Sequence, residues 1–171
     1  MGDTLITIVA IFLAAILMFI FPLSAISEMN DKEALAIVQS YTTEFVDTVR
    51  AKGKITKNDY DVFVQKLYST GNSYDIEIEV QRADTNIGKK TASQLVGDTT
   101  YYSEFTSQIT DVLNEPKGQY EMKEGDFIVV YVKNSNTTIS QMIKGALYSV
   151  TGDQSYVISA QASGTVVSNG F

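Results

Sequence analysis

The chain has 171 residues and a formal net charge of −7, from 13 basic and 20 acidic side chains. The basic residues form no cluster, so the sequence lacks the electrostatic signature of nucleic-acid binding. Cysteine, histidine and tryptophan are absent, which excludes disulfides, thiol chemistry and the common nucleophile–base pairs of enzymes. We therefore expect no enzymatic activity, no cofactor and no nucleic-acid partner.

Residues 5–26 are the most distinctive stretch, because they contain no charged side chain. A helix over this stretch would be about 33 Å long at about 1.5 Å per residue, enough to cross a bilayer core of about 30 Å. The alternative is a cleaved secretory signal, since the small residues Ala25 and Ser27 stand at its end. No lysine or arginine precedes the stretch, which favours a membrane span. We assign residues 1–27 to an N-terminal apolar helix, with the net-acidic remainder outside the membrane.

Residues 28–52 continue the same helix in amphipathic form. Val38, Tyr41, Phe45 and Val49 recur at spacings of three and four and predict one buried stripe, which Leu35 and Val46 widen. Polar residues of this segment are expected to stay exposed: Glu28, Asp31, Lys32, Gln39 and Arg50. Within the apolar half, Pro22 predicts a kink.

Residues 53–171 are predicted to form a small α+β head. Thr56 is the expected cap of a helix that buries Tyr60, Phe63, Val64, Leu67 and Tyr68. Alternating apolar residues predict a strand over 74–80, and strands are also expected over 127–132 and 156–167. Further helices are predicted over 101–114 and over 139–150, the latter capped by Thr137 or Thr138 and buried through Ile139, Met142 and Ile143. The expected architecture is a sheet of about three strands packed on the long first helix.

No residue of the head is assigned a catalytic, cofactor-binding or metal-binding role. Asp75, Glu77 and Glu79 share one strand face, and we interpret them as a solvated face rather than a catalytic set. Two acidic clusters are considered as calcium sites, and neither matches an EF-hand loop: Asp84, Asn86 and Asp98, and Asp59 with Asp61.

The order of these elements resembles that of a type IV pilin or pseudopilin: an apolar helix with an internal proline, an amphipathic continuation and a small sheet-containing head. The segment Gly2-Asp3-Thr4-Leu5-Ile6 is similar to the family's processing site. The resemblance implies cleavage by a prepilin peptidase after Gly2, which makes Asp3 the first mature residue. The position where the family usually carries a glutamate is Thr7 here.

The C-terminal half is similar to subunits of tight-adherence (Tad) pili, through the strand 127–132, the helix 139–150 and the small-residue strand 156–167. This resemblance implies a bacterial membrane protein that assembles into an extracellular filament of its own copies or other pilin-like subunits. The implied partners are the assembly ATPase and platform proteins.

The residues expected to take part in helix assembly lie in the apolar half. Ala10 and Ala14 have the small-xxx-small spacing that lets helices approach closely. The remaining candidates are Ile11, Ala15, Leu17, Phe19 and Pro22. The leading hypothesis is a structural filament subunit, and the alternative is a monomeric membrane-anchored extracytoplasmic binding domain.

Overall fold

The structure, a computed structural model, describes residues 2–83, 101–148 and 157–170, and within α4 it describes no side chain beyond residue 145. Its elements in chain order are α1 (Gly2–Lys52), β1 (Lys54–Thr56), α2 (Lys57–Tyr68), β2 (Tyr74–Ala83), β3 (Tyr101–Phe105), α3 (Thr106–Asn114), β4 (Gln119–Glu121), β5 (Phe127–Asn134), α4 (Ile139–Tyr148) and β6 (Ser159–Thr165). The predicted class is confirmed: a long apolar helix packs on antiparallel sheet with additional short helices.

Among the described residues, the main sheet has four antiparallel strands in the order β3-β2-β5-β6. Strand pairing brings Ile78 opposite Val130, and Val130 opposite Ala162. The alternation predicted for β2 is confirmed, and β5 alternates as well, because every second residue of each strand points into the core. The buried residues of this face are Ile78, Val80, Ile128, Val130, Val132 and Ala160.

The second half of α1 supplies the other wall of the core. Its buried residues recur at spacings of three and four, as helical periodicity requires, and the predicted stripe is confirmed at Val38, Phe45, Val46 and Val49. Phe45 stacks on Phe63 of α2 with the ring centroids 4.4 Å apart. Each such buried side chain contributes about 1.5–3 kcal/mol of hydrophobic free energy.

Helix α1 also covers the edge of the sheet at β6. The Gln39 amide donates to the Gln161 carbonyl at 3.0 Å, and the Arg50 guanidinium donates to the Thr165 carbonyl at 2.7 Å. Both carbonyls belong to the outermost strand, where unpaired backbone groups could otherwise form hydrogen bonds with a strand of another chain. This edge is therefore protected from strand addition by side chains of the first helix.

The sheet prediction was incomplete at β3. Residues 101–105 are a strand paired with residues 79–83 of β2, not the first turn of a helix. Aromatic residues favour strands where a sheet edge is at hand, and here that preference prevails over the helical spacing of Tyr102, Phe105 and Ile109. Tyr102 and Phe105 are consequently exposed rather than buried, whereas Ile109 is buried as predicted. Strands β1 and β4 form a separate two-stranded ribbon.

The predicted cap of α2 is confirmed. The Thr56 hydroxyl accepts from the Asp59 backbone amide at 3.1 Å and donates to the Asp59 carboxylate at 2.7 Å. The Lys52 ammonium lies 2.8 Å from the same carboxylate. The contacts of Asp59, a candidate calcium ligand in the sequence, tie the end of α1 to the start of α2. Tyr68, at the other end of α2, is exposed rather than in the core.

We predict a defined acid dependence from Asp59. Partial burial opposes its ionisation, but the bonds from Lys52 and Thr56 outweigh burial and hold its pKa below the ordinary 3.8. A carboxyl with a lowered pKa stabilises the fold fully above its unfolded-state value and loses that contribution as the pH falls through the folded-state pKa. Asp59→Asn should therefore be less stable than the wild type near neutral pH, with the difference shrinking below pH 3.8. Urea titrations across pH test this, and a pH-independent difference would contradict it.

Candidate functional site

The candidate site is the apolar half of α1, which extends away from the head. By length and composition α1 can cross a membrane, and the most apolar window of the helix contains no buried residue. Leu5, Phe12 and Phe19 are 67%, 68% and 69% exposed. Soluble monomers rarely expose an apolar surface of this size to water. Such a surface is typical of a site that contacts lipid or another protein.

The predicted assembly residues all lie in this exposed half. A partly covered row runs along one side of the helix through Ile16, Ile20 and Ser24 and leads to the buried Ser27 and Asp31. At about 100° per residue, the opposite side carries Ile11, Ala14, Ala15 and Pro22. Ala10, Leu17 and Phe19 lie on the flanks between the two sides. The small residue Ala14 thus faces away from the row that continues into the head.

The residues of the implied processing site lie in the first turn of the described helix. Gly2 and Asp3 are both exposed. The Thr7 hydroxyl donates to the Asp3 backbone carbonyl at 2.8 Å. Thr7 thus places no charge in the apolar half and satisfies its own hydroxyl within the helix.

Where the apolar half meets the head, α4 docks on α1 through polar contacts. The Thr138 hydroxyl, which also caps α4, donates to the Asp31 carboxylate at 2.8 Å. The Lys144 ammonium lies 3.3 Å from the Glu28 carboxylate. The prediction that Asp31 stays exposed is wrong, because the side chain is only 7% exposed. A sequence signal existed: Asp31 falls on the same three-and-four spacing as Ala34 and Val38.

Sequence reasoning also missed a cluster around Arg82. Its guanidinium lies 4.8 Å from the Tyr120 ring centroid, 3.9 Å from Glu104 and 3.5 Å from Asp126. Burial disfavours the charge on Arg82, but these neighbours hold its pKa above the ordinary value. Arg82 also donates to the Glu121 carbonyl. The cluster joins β2, β3 and β4, and we interpret it as structural, because every partner is a group of the fold itself.

The outer face of the sheet carries a shallow cavity of about 440 Å³. Its wall combines Glu77 and Glu79 with the apolar side chains of Phe105, Val129 and Tyr131. Asp75 and Glu77 are exposed, as the interpretation of a solvated face required. Glu79 is half-buried, and a hydrogen bond from Ser103 at 2.6 Å, joined by one from Gln81, lowers its pKa.

The acidic cluster at Asp84, Asn86 and Asp98 lies outside the described residues, as does the end of the helix predicted to reach residue 150. Comparisons of the chain with protein-family models, with curated proteins and with solved structures found no match.

Proposed function

We propose that the chain is a structural subunit of an extracellular filament of the type IV pilus class, nearest to tight-adherence pili, and that it assembles through the apolar half of α1. The observation that carries the proposal is the division of one continuous helix at about residue 27. Its second half is a wall of the head core, while its first half is apolar and contains no buried residue.

Such a helix needs partners along its first half, because water-exposed apolar surface costs about 25 cal/mol per Å². Lipid supplies them before assembly, in the bacterial cell membrane. Neighbouring helices supply them in the filament, where the small side of α1 around Ala14 allows close approach. The resemblance to pilins adds the assembly ATPase and platform proteins as partners, with the heads on the outside.

A monomeric membrane-anchored binding domain is the second candidate. The cavity on the outer sheet face favours it, since aromatic and apolar side chains beside two carboxylates can bind an extracellular ligand. In that case the apolar half of α1 is an anchor alone, and the heads do not form a regular array.

Electron microscopy of the fraction sheared from cells, with an antibody against residues 54–171, distinguishes these functions. We expect the label to repeat along filaments, as the main subunit of a helical assembly requires. Label at filament tips only would assign the chain to a minor subunit. Label confined to unsheared membranes would contradict the filament proposal and favour the anchored binding domain.

A further inference from the structure

Helix α4 presents an apolar surface away from the core. The sequence predicts Ile139 and Met142 as core residues, but they are 57% and 56% exposed. The opposite side of α4 faces α1, where Ser140 is buried and Lys144 reaches Glu28. The two exposed side chains are one helical turn apart and form one continuous apolar surface.

The contacts between α4 and α1 fix the height of this surface above the apolar half. Along the axis of α1, the Thr138 hydroxyl lies at the height of the Asp31 carboxylate, and the Lys144 ammonium lies at the height of the Glu28 carboxylate. At about 1.5 Å per residue, Glu28 lies about 3 Å and Asp31 about 7.5 Å beyond Ile26. Helix α4 therefore descends toward the end of the uncharged stretch. The headgroup layer on each side of a bilayer is about 5–8 Å thick, so α4 begins and descends within that layer when residues 5–26 span the core.

The surroundings favour a bilayer over a second protein as the occupant. Met29 lies at the same height along α1 and is also exposed. It is about 160° around the helix from Ser27 and Asp31, on the side away from α4. A bilayer surrounds the helix at this height, whereas a neighbouring subunit covers one side. Lys32 is exposed at the same level, while the Lys144 ammonium is paired with Glu28. Lysine stems lie along apolar surface while their ammonium groups reach phosphate.

We propose that α4 lies in the headgroup layer of the membrane, with Ile139 and Met142 inserted among the lipids, and so fixes the head against the bilayer before assembly. This proposal rests on the membrane location of residues 5–26. Interfacial helices bind by burying an apolar face at the boundary between headgroups and acyl chains, with basic residues on the polar face. Helix α4 would then be a second membrane contact besides the span.

The absence of tryptophan from the chain makes the test direct. Met142→Trp and Ile139→Trp each place a single tryptophan on the proposed contact. The full chain is reconstituted into phosphatidylcholine vesicles whose acyl chains carry bromine close to the headgroups, and emission is compared with that in unbrominated vesicles. We expect blue-shifted emission and a clear loss of intensity in the brominated vesicles for both variants.

Two further variants serve as controls. Val62→Trp occupies a position on α2 of comparable exposure, 41%, and its emission should not respond to bromine. Phe12→Trp lies near the middle of the apolar stretch and should be quenched strongly in a second set of vesicles, whose bromine lies deep in the acyl chains. Quenching of Phe12→Trp without quenching at 139 and 142 would overturn the α4 proposal and leave the anchor intact. Unquenched Phe12→Trp would overturn the membrane location itself, and with it the α4 proposal.

The remaining outcomes also decide the question. Equal quenching at Val62→Trp and Met142→Trp would mean that the head contacts lipid without a preferred surface, which contradicts a specific role for α4. Blue-shifted emission at 142 that ignores bromine and grows with the protein-to-lipid ratio would assign the surface to a second copy of the chain. All four positions are exposed, so circular dichroism of the variants should match the wild type.

Discussion

Replacing Ala14 with leucine is expected to abolish filaments while leaving the chain in the membrane. Ala14 lies near the middle of residues 5–26, is exposed, and faces away from the row that leads into the head. Leucine is more apolar than alanine, so a lipid-exposed helix tolerates it. A close helix–helix contact does not, because the larger side chain holds the two backbones apart.

Ala14→Lys should also abolish filaments, and it adds a charge near the bilayer centre at a cost of about 2.5–3.5 kcal/mol on insertion scales. The leucine variant is the sharper test, because it separates packing from insertion. Ile16→Leu is the matched control, since it keeps a large apolar side chain on the opposite, partly covered row. The measurements are electron microscopy of the sheared fraction and the share of the chain in the membrane fraction. Normal filaments from Ala14→Lys would contradict assembly through this helix.

The long helix is the part of the fold that the sequence predicts best, but the burial of Asp31 within it was not predicted. Periodicity placed Val38, Phe45 and Val49 in the core, because apolar residues at three-and-four spacing need a common cover. Asp31 has the same spacing, but its chemistry favoured solvent. Its partner Thr138 is 107 residues away, and a single sequence does not indicate which distant hydroxyl will satisfy a buried carboxylate.

Residues 101–105 and α4 illustrate two further limits. Tyr102, Phe105 and Ile109 fit a helical face, and only the nearby edge of β2 shows why the first two belong to a strand. Ile139 and Met142 belong to the cleanest helical stripe in the chain, yet both are exposed. A periodic apolar pattern predicts that one face of a helix will be covered, but it does not identify whether the core of the same chain, another protein or lipid covers it. For the same reason, the exposed apolar half of α1 predicts a cover of lipid or protein without identifying which of the two it is.

Gly53→Ala is expected to destabilise the head by about 2–5 kcal/mol. Gly53 ends α1 with a φ of +68°, a conformation that costs an alanine about 1–2 kcal/mol. A Cβ there would also collide with the backbone of Ser168 and Gly170. These residues belong to a segment that crosses the end of α1, where Met122 donates to the Gly53 carbonyl at 2.8 Å and Gly170 donates to the Met122 carbonyl at 3.1 Å. Since the colliding atoms are backbone, no side-chain rotation relieves the clash, and overpacking adds about 1–3 kcal/mol.

Gly71→Ala separates the two contributions to this loss. Gly71 has a φ of +81°, but a Cβ at this position would meet nothing within 4 Å. Its substitution should therefore cost only the conformational part, about 1–2 kcal/mol. Urea denaturation of the full chain in detergent micelles, followed by near-ultraviolet circular dichroism of the tyrosines, measures both losses. Equal losses would show that segment 166–170 yields to a methyl group at Gly53. A much larger loss for Gly53→Ala would establish that the junction between the first helix and the head depends on backbone contact with that segment.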